Sequence, residues 1–247
     1  MESILQVHQL SGGYFKKHPV LHDLHFSVAP GEMVGLIGLN GAGKSTTIKH
    51  ILGLLEPTQG TITIHNKTLQ ESPGLYRSAF SYVPETPLFY EDLTLQEHLE
   101  LTAMAYGISK EVYEDRVERL LVQFNMEERK KMFPAHLSKG MRQKLMIINA
   151  FLVEPALYIV DEPFVGLDPV GIRSLLDLMV ERKNEGAGIL ISSHILSTLE
   201  RYCNRFIILH RGRIIATGSL DEIRNQAGMP GALLDDVFYH LTGEANK

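Results

Sequence analysis

Apolar residues recur along the chain with two different periods, and the change of period divides it. In the first ninety residues the runs ILQVHQL, LHFSV, MVGLIG and TITI are short, continuous or alternating, and Gly, Pro and Asn separate them. That is the pattern of β-strands joined by turns. His65-Asn66, between TITI and KTL, predicts a hairpin. The period shifts once in this part. Ile48, Ile51, Leu52 and Leu55 stand at i, i+3, i+4 and i+7, which predicts a helix over 44–55 with one buried face.

From 94 to about 153 the helical period dominates. Thr94 and Glu97 form a capping box at the start of one helix. Tyr113, Val117, Leu120, Leu121 and Phe124 mark one face of a second. Phe133-Pro134 ends that pattern, and a third helix is expected from near Ser138. Strands then return as ALYIV, GILIS, FIIL and RIIAT, with a helix over 170–183 between the first two. Ser219 and Glu222 make another capping box, after which the tail ends in a polar stretch. Strands alternating with helices predict an α/β protein with a mostly parallel sheet, into which the middle helical block is inserted.

Composition narrows the class. At 247 residues and 44% hydrophobic content the chain can bury a core without cross-links. The single cysteine, Cys203, excludes a disulfide framework and a cysteine-only zinc site, and is expected to be a small buried apolar residue. A net charge of −5 argues against a generic nucleic-acid binder. The opening MESILQVHQL lacks the basic-then-apolar plan of a secretory signal, and no apolar run approaches the ~18 residues of a membrane span. The expectation is a cytosolic protein that inserts nowhere and reaches a membrane only through a partner.

Chemistry concentrates in a few places. Gly38, Leu39, Asn40, Gly41, Ala42, Gly43, Lys44, Ser45 and Thr46 fit G-x-x-x-x-G-K-[ST], with an apolar strand before and an amphipathic helix after. Glycines let successive N–H groups converge on phosphate oxygens, and the helix starts with its positive end there. Lys44 supplies charge to the β- and γ-phosphates, and Ser45 offers a hydroxyl to Mg²⁺. ALYIVDEP carries Asp161 and Glu162 to the C-terminal edge of a buried strand, Asp161 as a Mg²⁺ ligand and Glu162 as a base for an attacking water. His194 follows GILISS in the same way and can meet the γ-phosphate or that water. Ser138 and Gly140 open a helix whose N-terminus can take an anion, or is simply capped.

Taken in order, these residues resemble the ATP-binding subunits of ABC transporters along nearly the whole chain. Tyr14 resembles the aromatic residue that stacks on adenine, with Phe15 beside it as the other candidate. Residues 38–46 resemble Walker A, Tyr82-Val83-Pro84-Glu85 the Q-loop, and Leu137-Ser-Lys-Gly-Met141 the LSGGQ signature. Asp161 and Glu162 are similar to Walker B, Gly166-Leu-Asp168-Pro169 to the D-loop, and His194 to the switch histidine. Glu85 stands where the family usually has glutamine, and Lys139 and Met141 replace a glycine and a glutamine. The wording VPETPLFYEDLT, LSKGMRQK and DDVFYHLTGE is most similar to the Ecs-type exporter ATPases among the ABC-2-like subunits.

The resemblance implies a P-loop NTPase core (1–92 and 154–218) with an antiparallel β subdomain at its N-terminus, a helical signature subdomain (93–153) and a tail (219–247), all in one ABC ATPase domain. It implies ATP and Mg²⁺ as ligands, with Ser45, Glu85 and Asp161 on the metal and Asp168, Ser138 and Gly140 serving a site shared with a second copy. It further implies a head-to-tail dimer, an integral membrane permease as partner, and a peripheral place on the inner face of the cell membrane. A soluble ABC-type ATPase acting on nucleic acid or ribosomes, a P-loop small-molecule kinase and a non-hydrolysing regulatory subunit are the competing readings. The single phosphate loop speaks against the first, the full motif set against the second, and Glu162 with His194 against the third.

Overall fold

A computed structural model of the chain describes residues 3–243. The elements run β1 (Leu5–Gly12), β2 (Leu21–Val28), β3 (Met33–Ile37), α1 (Lys44–Ile51), β4 (Gln59–Ile64), α2 (Pro73–Ser78) and β5 (Phe80–Val83). They continue with α3 (Leu95–Ala105), α4 (Lys110–Phe124), α5 (Lys139–Leu152), β6 (Leu157–Asp161), α6 (Pro169–Asn184), β7 (Gly188–Ser192) and α7 (Leu196–Tyr202). The chain closes with β8 (Arg205–His210), β9 (Arg213–Gly218), α8 (Leu220–Gln226) and α9 (Leu234–Thr242).

The strands form two sheets. One is antiparallel, in the order β2-β1-β4. The other has the order β5-β6-β7-β3-β8-β9, parallel throughout except for the β8–β9 pair. β3, β6 and β7 are buried at every position, as central parallel strands covered on both faces must be. Alternate residues of β6 enter opposite cores: Leu157 and Ile159 face the antiparallel sheet and α1, Tyr158 and Val160 face α5, α6 and α9. Because β3, β6 and β7 run the same way, their C-terminal ends share one edge, where open α/β sheets bind ligands. The helices α3, α4 and α5 lie between the adjacent strands β5 and β6.

The fold is α/β, with the expected antiparallel sheet first and the mostly parallel sheet after it. Local outcomes differ in places. The helix after the phosphate loop ends at Ile51, four residues short of Leu55, because Gly53 turns left-handed at φ 74° and ends the helical run. His65 and Asn66 do form a tight turn, both at positive φ, and Ile64 bridges Lys67. No second strand follows; Glu71 instead accepts from the Thr68 N–H and hydroxyl, and α2 begins, so the predicted hairpin stops at one bridge. Both capping boxes form, at Thr94–Glu97 and Ser219–Glu222. The tail also holds α9, which buries Leu234, Val237 and Phe238. The final 244–247, where the polar ending falls, lies outside the described residues. Cys203 is only partly buried, against Gly35, and burial pushes its thiol up to about 12. Among the described residues, no helix is long and apolar enough to cross a membrane.

Candidate nucleotide site

β3 ends at Ile37 and the chain turns through 38–43 into α1. Gly43, at φ 113°, is the N-cap and offers no side chain to the first N–H groups of the helix, which leaves them for a ligand. Gly38 is required by space: a Cβ there would lie 2.6 Å from the Leu209 carbonyl oxygen. Lys44 is 8% exposed, donates to the Gly38 carbonyl at 2.7 Å and holds Nζ 3.9 Å from Glu162 Oε1.

Two further strands bring the acids. Asp161, the last residue of β6, is buried and accepts a short hydrogen bond from the Ser192 hydroxyl at the end of β7. Burial raises its carboxyl above the ordinary range, the Ser192 bond lowers it, and Glu162 and Glu85 raise it further. Glu162 sits in a left-handed backbone conformation, φ 45°, held by its N–H donating to the Ser192 carbonyl and hydroxyl at 3.1 and 3.2 Å. Its Oε2 accepts the His194 backbone N–H at 3.1 Å and lies 2.7 Å from His194 Nδ1.

These groups line one cleft of about 800 Å³. Gly38, Leu39, Asn40, Gly41, Gly43, Lys44, Ser45 and Thr46 form its floor, with Tyr14, Glu85, Glu162 and His194 around it. Ala42 and Asp161 are buried behind that surface. Tyr14 is half-exposed, and its hydroxyl accepts from Lys49 Nζ at 3.1 Å, a bond that lowers its pKa. Phe15 is more exposed and does not line the cleft.

Ser138, Gly140 and Asp168 lie elsewhere and do not line it. Ser138 caps α5 by accepting the Met141 N–H at 3.3 Å. Asp168 caps α6 by accepting the Gly171 N–H at 2.6 Å, which holds its carboxyl low, and Lys144 Nζ is 3.4 Å away. The two loops touch: a Cβ on Gly140 would lie 2.6 Å from the Gly166 carbonyl oxygen, and the carbon stem of Lys139 packs over Gly166. They make one surface, which follows the cleft-lining Val165 in the chain and is not itself part of the lining.

Residues 21–165 match the sequence model of the family described as ABC transporter. The chain belongs to that family. This ABC subunit is 59% identical over 242 residues to the ABC-type transporter ATP-binding protein EcsA of Bacillus subtilis, covering 98% of each chain. It is 33% identical to the bacitracin transport ATP-binding protein BcrA of Enterococcus faecalis, over 98% of this chain and 81% of that one. A solved structure of an ATP-binding subunit of an ABC transporter superposes with a TM-score of 0.95 at 58% identity, over 97% of this chain and 100% of that one. The protein is therefore an ATP-binding, ATP-hydrolysing subunit of a transporter. Such subunits dimerise and work with membrane components.

The cleft of this ABC subunit is also lined by residues that the motif pattern passes over. α9 contributes Asp235, Phe238 and Tyr239 to the cleft lining, and Ser193 and Leu196 enter it from either side of His194. Leu234, Val237, Phe238 and Leu241 at i, i+3, i+4 and i+7 signal a helix with a buried face; nothing in that period says which surface it covers. Ser192, which holds both Asp161 and Glu162, has only its place at the end of GILIS as a signal.

Proposed function

We propose that two copies pair head-to-tail, each ATP lying between the phosphate loop of one chain and the Ser138–Gly140 loop of the other, and that the pair drives export through an integral membrane permease from the inner face of the cell membrane. The carrying observation is the separation just described: Ser138, Gly140 and Asp168 form a surface of their own, away from the Lys44–Glu162–His194 cleft. One chain carries both kinds of loop, and its own Ser138 and Gly140 do not line the cleft that holds its phosphate loop. Export is supported by the Ecs-type wording alone. The expected domain division, with 1–92 and 154–218 as core, 93–153 as signature subdomain and 219–247 as tail, belongs to this proposal.

Within the cleft, Tyr14 supplies an aromatic face for adenine and the loop 38–46 holds the phosphates. Ser45, Glu85 and Asp161 would hold Mg²⁺. The fit is good: the donors are all oxygen, and the burial and negative neighbours that raise the Asp161 carboxyl are what a cation relieves. Bound Mg²⁺ supplies charge neutralisation at the phosphates. Glu162 takes the proton of the attacking water as its oxygen bonds to the γ-phosphorus and ADP leaves. His194 orients that carboxylate. The test is specific activity against protein concentration. It should rise with concentration until the dimer saturates; phosphate release strictly first-order in protein down to high dilution would contradict shared sites.

A further inference from the structure

α9 stands at the edge of the cleft, which Asp235, Phe238 and Tyr239 help to line. The buried face of α9 is fixed to α7, which begins two residues after His194. The Leu234 N–H donates to Glu200 Oε2 at 3.0 Å, and Arg224 donates to Glu200 Oε1 at 3.2 Å and to the Ala232 carbonyl at 2.6 Å. This leaves Asp235 and Tyr239 exposed on the cleft side. The signature and D-loop surface has the complementary character. Lys139 is exposed next to Ser138, Val170 is 59% exposed at the start of α6, and the Arg173 side chain is 79% exposed and ion-paired with Asp177 on its own helix.

We infer that α9 is a docking element for a second copy of this chain. Asp235 and Tyr239 of one copy meet the basic and apolar surface made by Lys139, Val170 and Arg173 of the other. Opposite charges on two exposed surfaces that approach each other favour and orient their encounter, and Tyr239 and Val170 supply the apolar contact between them. Closure is thereby carried through α9 and Glu200 to α7 and His194. The inference depends on the head-to-tail pairing proposed above.

The test uses the full chain carrying Glu162→Gln, with ATP and Mg²⁺, and measures the dimer dissociation constant by analytical ultracentrifugation. Adding Asp235→Lys should weaken the dimer at least tenfold, and adding Lys139→Glu and Arg173→Glu to that variant should recover most of the loss. Fluorescent ATP binding to each monomer serves as the control. In parallel, Tyr239→Cys with Val170→Cys, made with Cys203→Ser, should yield a cross-linked dimer on oxidation with ATP and not with ADP. If Glu162→Gln alone stays monomeric, head-to-tail pairing fails. If it dimerises and Asp235→Lys dimerises equally well, or the reversed charges give no recovery, or the cysteine pair never cross-links, docking through α9 is overturned while the pairing stands.

Discussion

Glu162 and His194 share one carboxylate oxygen: Oε2 lies 2.7 Å from the ring Nδ1 and accepts the backbone N–H of the same histidine at 3.1 Å. The other oxygen, Oε1, faces Lys44 at 3.9 Å. The carboxylate is thus oriented from two sides while its backbone is held at φ 45°. Replacing His194 with Ala removes the ring and keeps the backbone bond. Turnover should fall about 100- to 1,000-fold, the usual range for one oriented electrostatic partner. ATP affinity should barely change, since no phosphate-loop contact is lost. Steady-state phosphate release with equilibrium nucleotide binding checks both; a loss of affinity equal to the loss of turnover would contradict the assignment.

Asp161 is buried at a cost to the fold. Burial raises its carboxyl in the folded state above the ordinary 3.8, so between 3.8 and that raised value the native state holds a proton the unfolded state has released. Stability falls as pH rises through this window, and at neutral pH the residue is destabilising. Asp161→Asn should therefore raise the melting midpoint of the nucleotide-free protein at pH 7, by about 2–4 °C for each kcal/mol relieved in a chain of this size. The same variant should lose Mg²⁺-dependent turnover. Calorimetry at pH 7 and pH 4 checks the sign: the gain should shrink at the lower pH.

Tyr14 and Phe15 separate by position. Tyr14 lines the cleft and Phe15 does not. Stacking of a base on an aromatic ring contributes about 1–3 kcal/mol, so Tyr14→Ser should weaken ATP roughly 5- to 150-fold. Phe15→Ser should leave it unchanged. Titration with a fluorescent ATP analogue decides between them.

Glu154 joins the inserted helices to the core. Its carboxylate contacts Arg116 of α4, Arg119 of α4 at 2.9 Å and Arg182 of α6 at 2.7 Å, and the Arg182 side chain is 6% exposed. Arg182 keeps Glu181 and Glu185 as partners and the Glu154 carboxylate is itself one-fifth exposed, so its loss leaves no buried charge wholly uncompensated. Glu154→Ala should destabilise by about 1 kcal/mol in urea unfolding, and Glu154→Gln by less.

What the chain's own pattern reveals follows the physics of each part. β3, β6 and β7 are legible because strands covered on both faces have few non-apolar alternatives, and the phosphate loop is legible because backbone N–H groups can curl around phosphate only with glycine at Gly41 and Gly43, both at positive φ. The capping boxes are local chemistry and form as written. The end of α1 is missed because one left-handed residue, Gly53, outweighs an apolar period that continues past it. α9 is missed as part of the cleft because periodicity shows that Leu234, Val237 and Phe238 are buried and cannot say against what. Ser192 is missed because its role, holding Asp161 and Glu162 together, exists only once β6 and β7 are paired.

The central claim is that a nucleotide held at the phosphate loop draws a second copy over the cleft, and that Glu162 ends this state by promoting hydrolysis. Sedimentation of the Glu162→Gln variant with ATP and Mg²⁺ tests it most directly. The account predicts a dimer that dissociates when ADP replaces ATP. A variant that binds ATP and sediments as a monomer at every accessible concentration would contradict it.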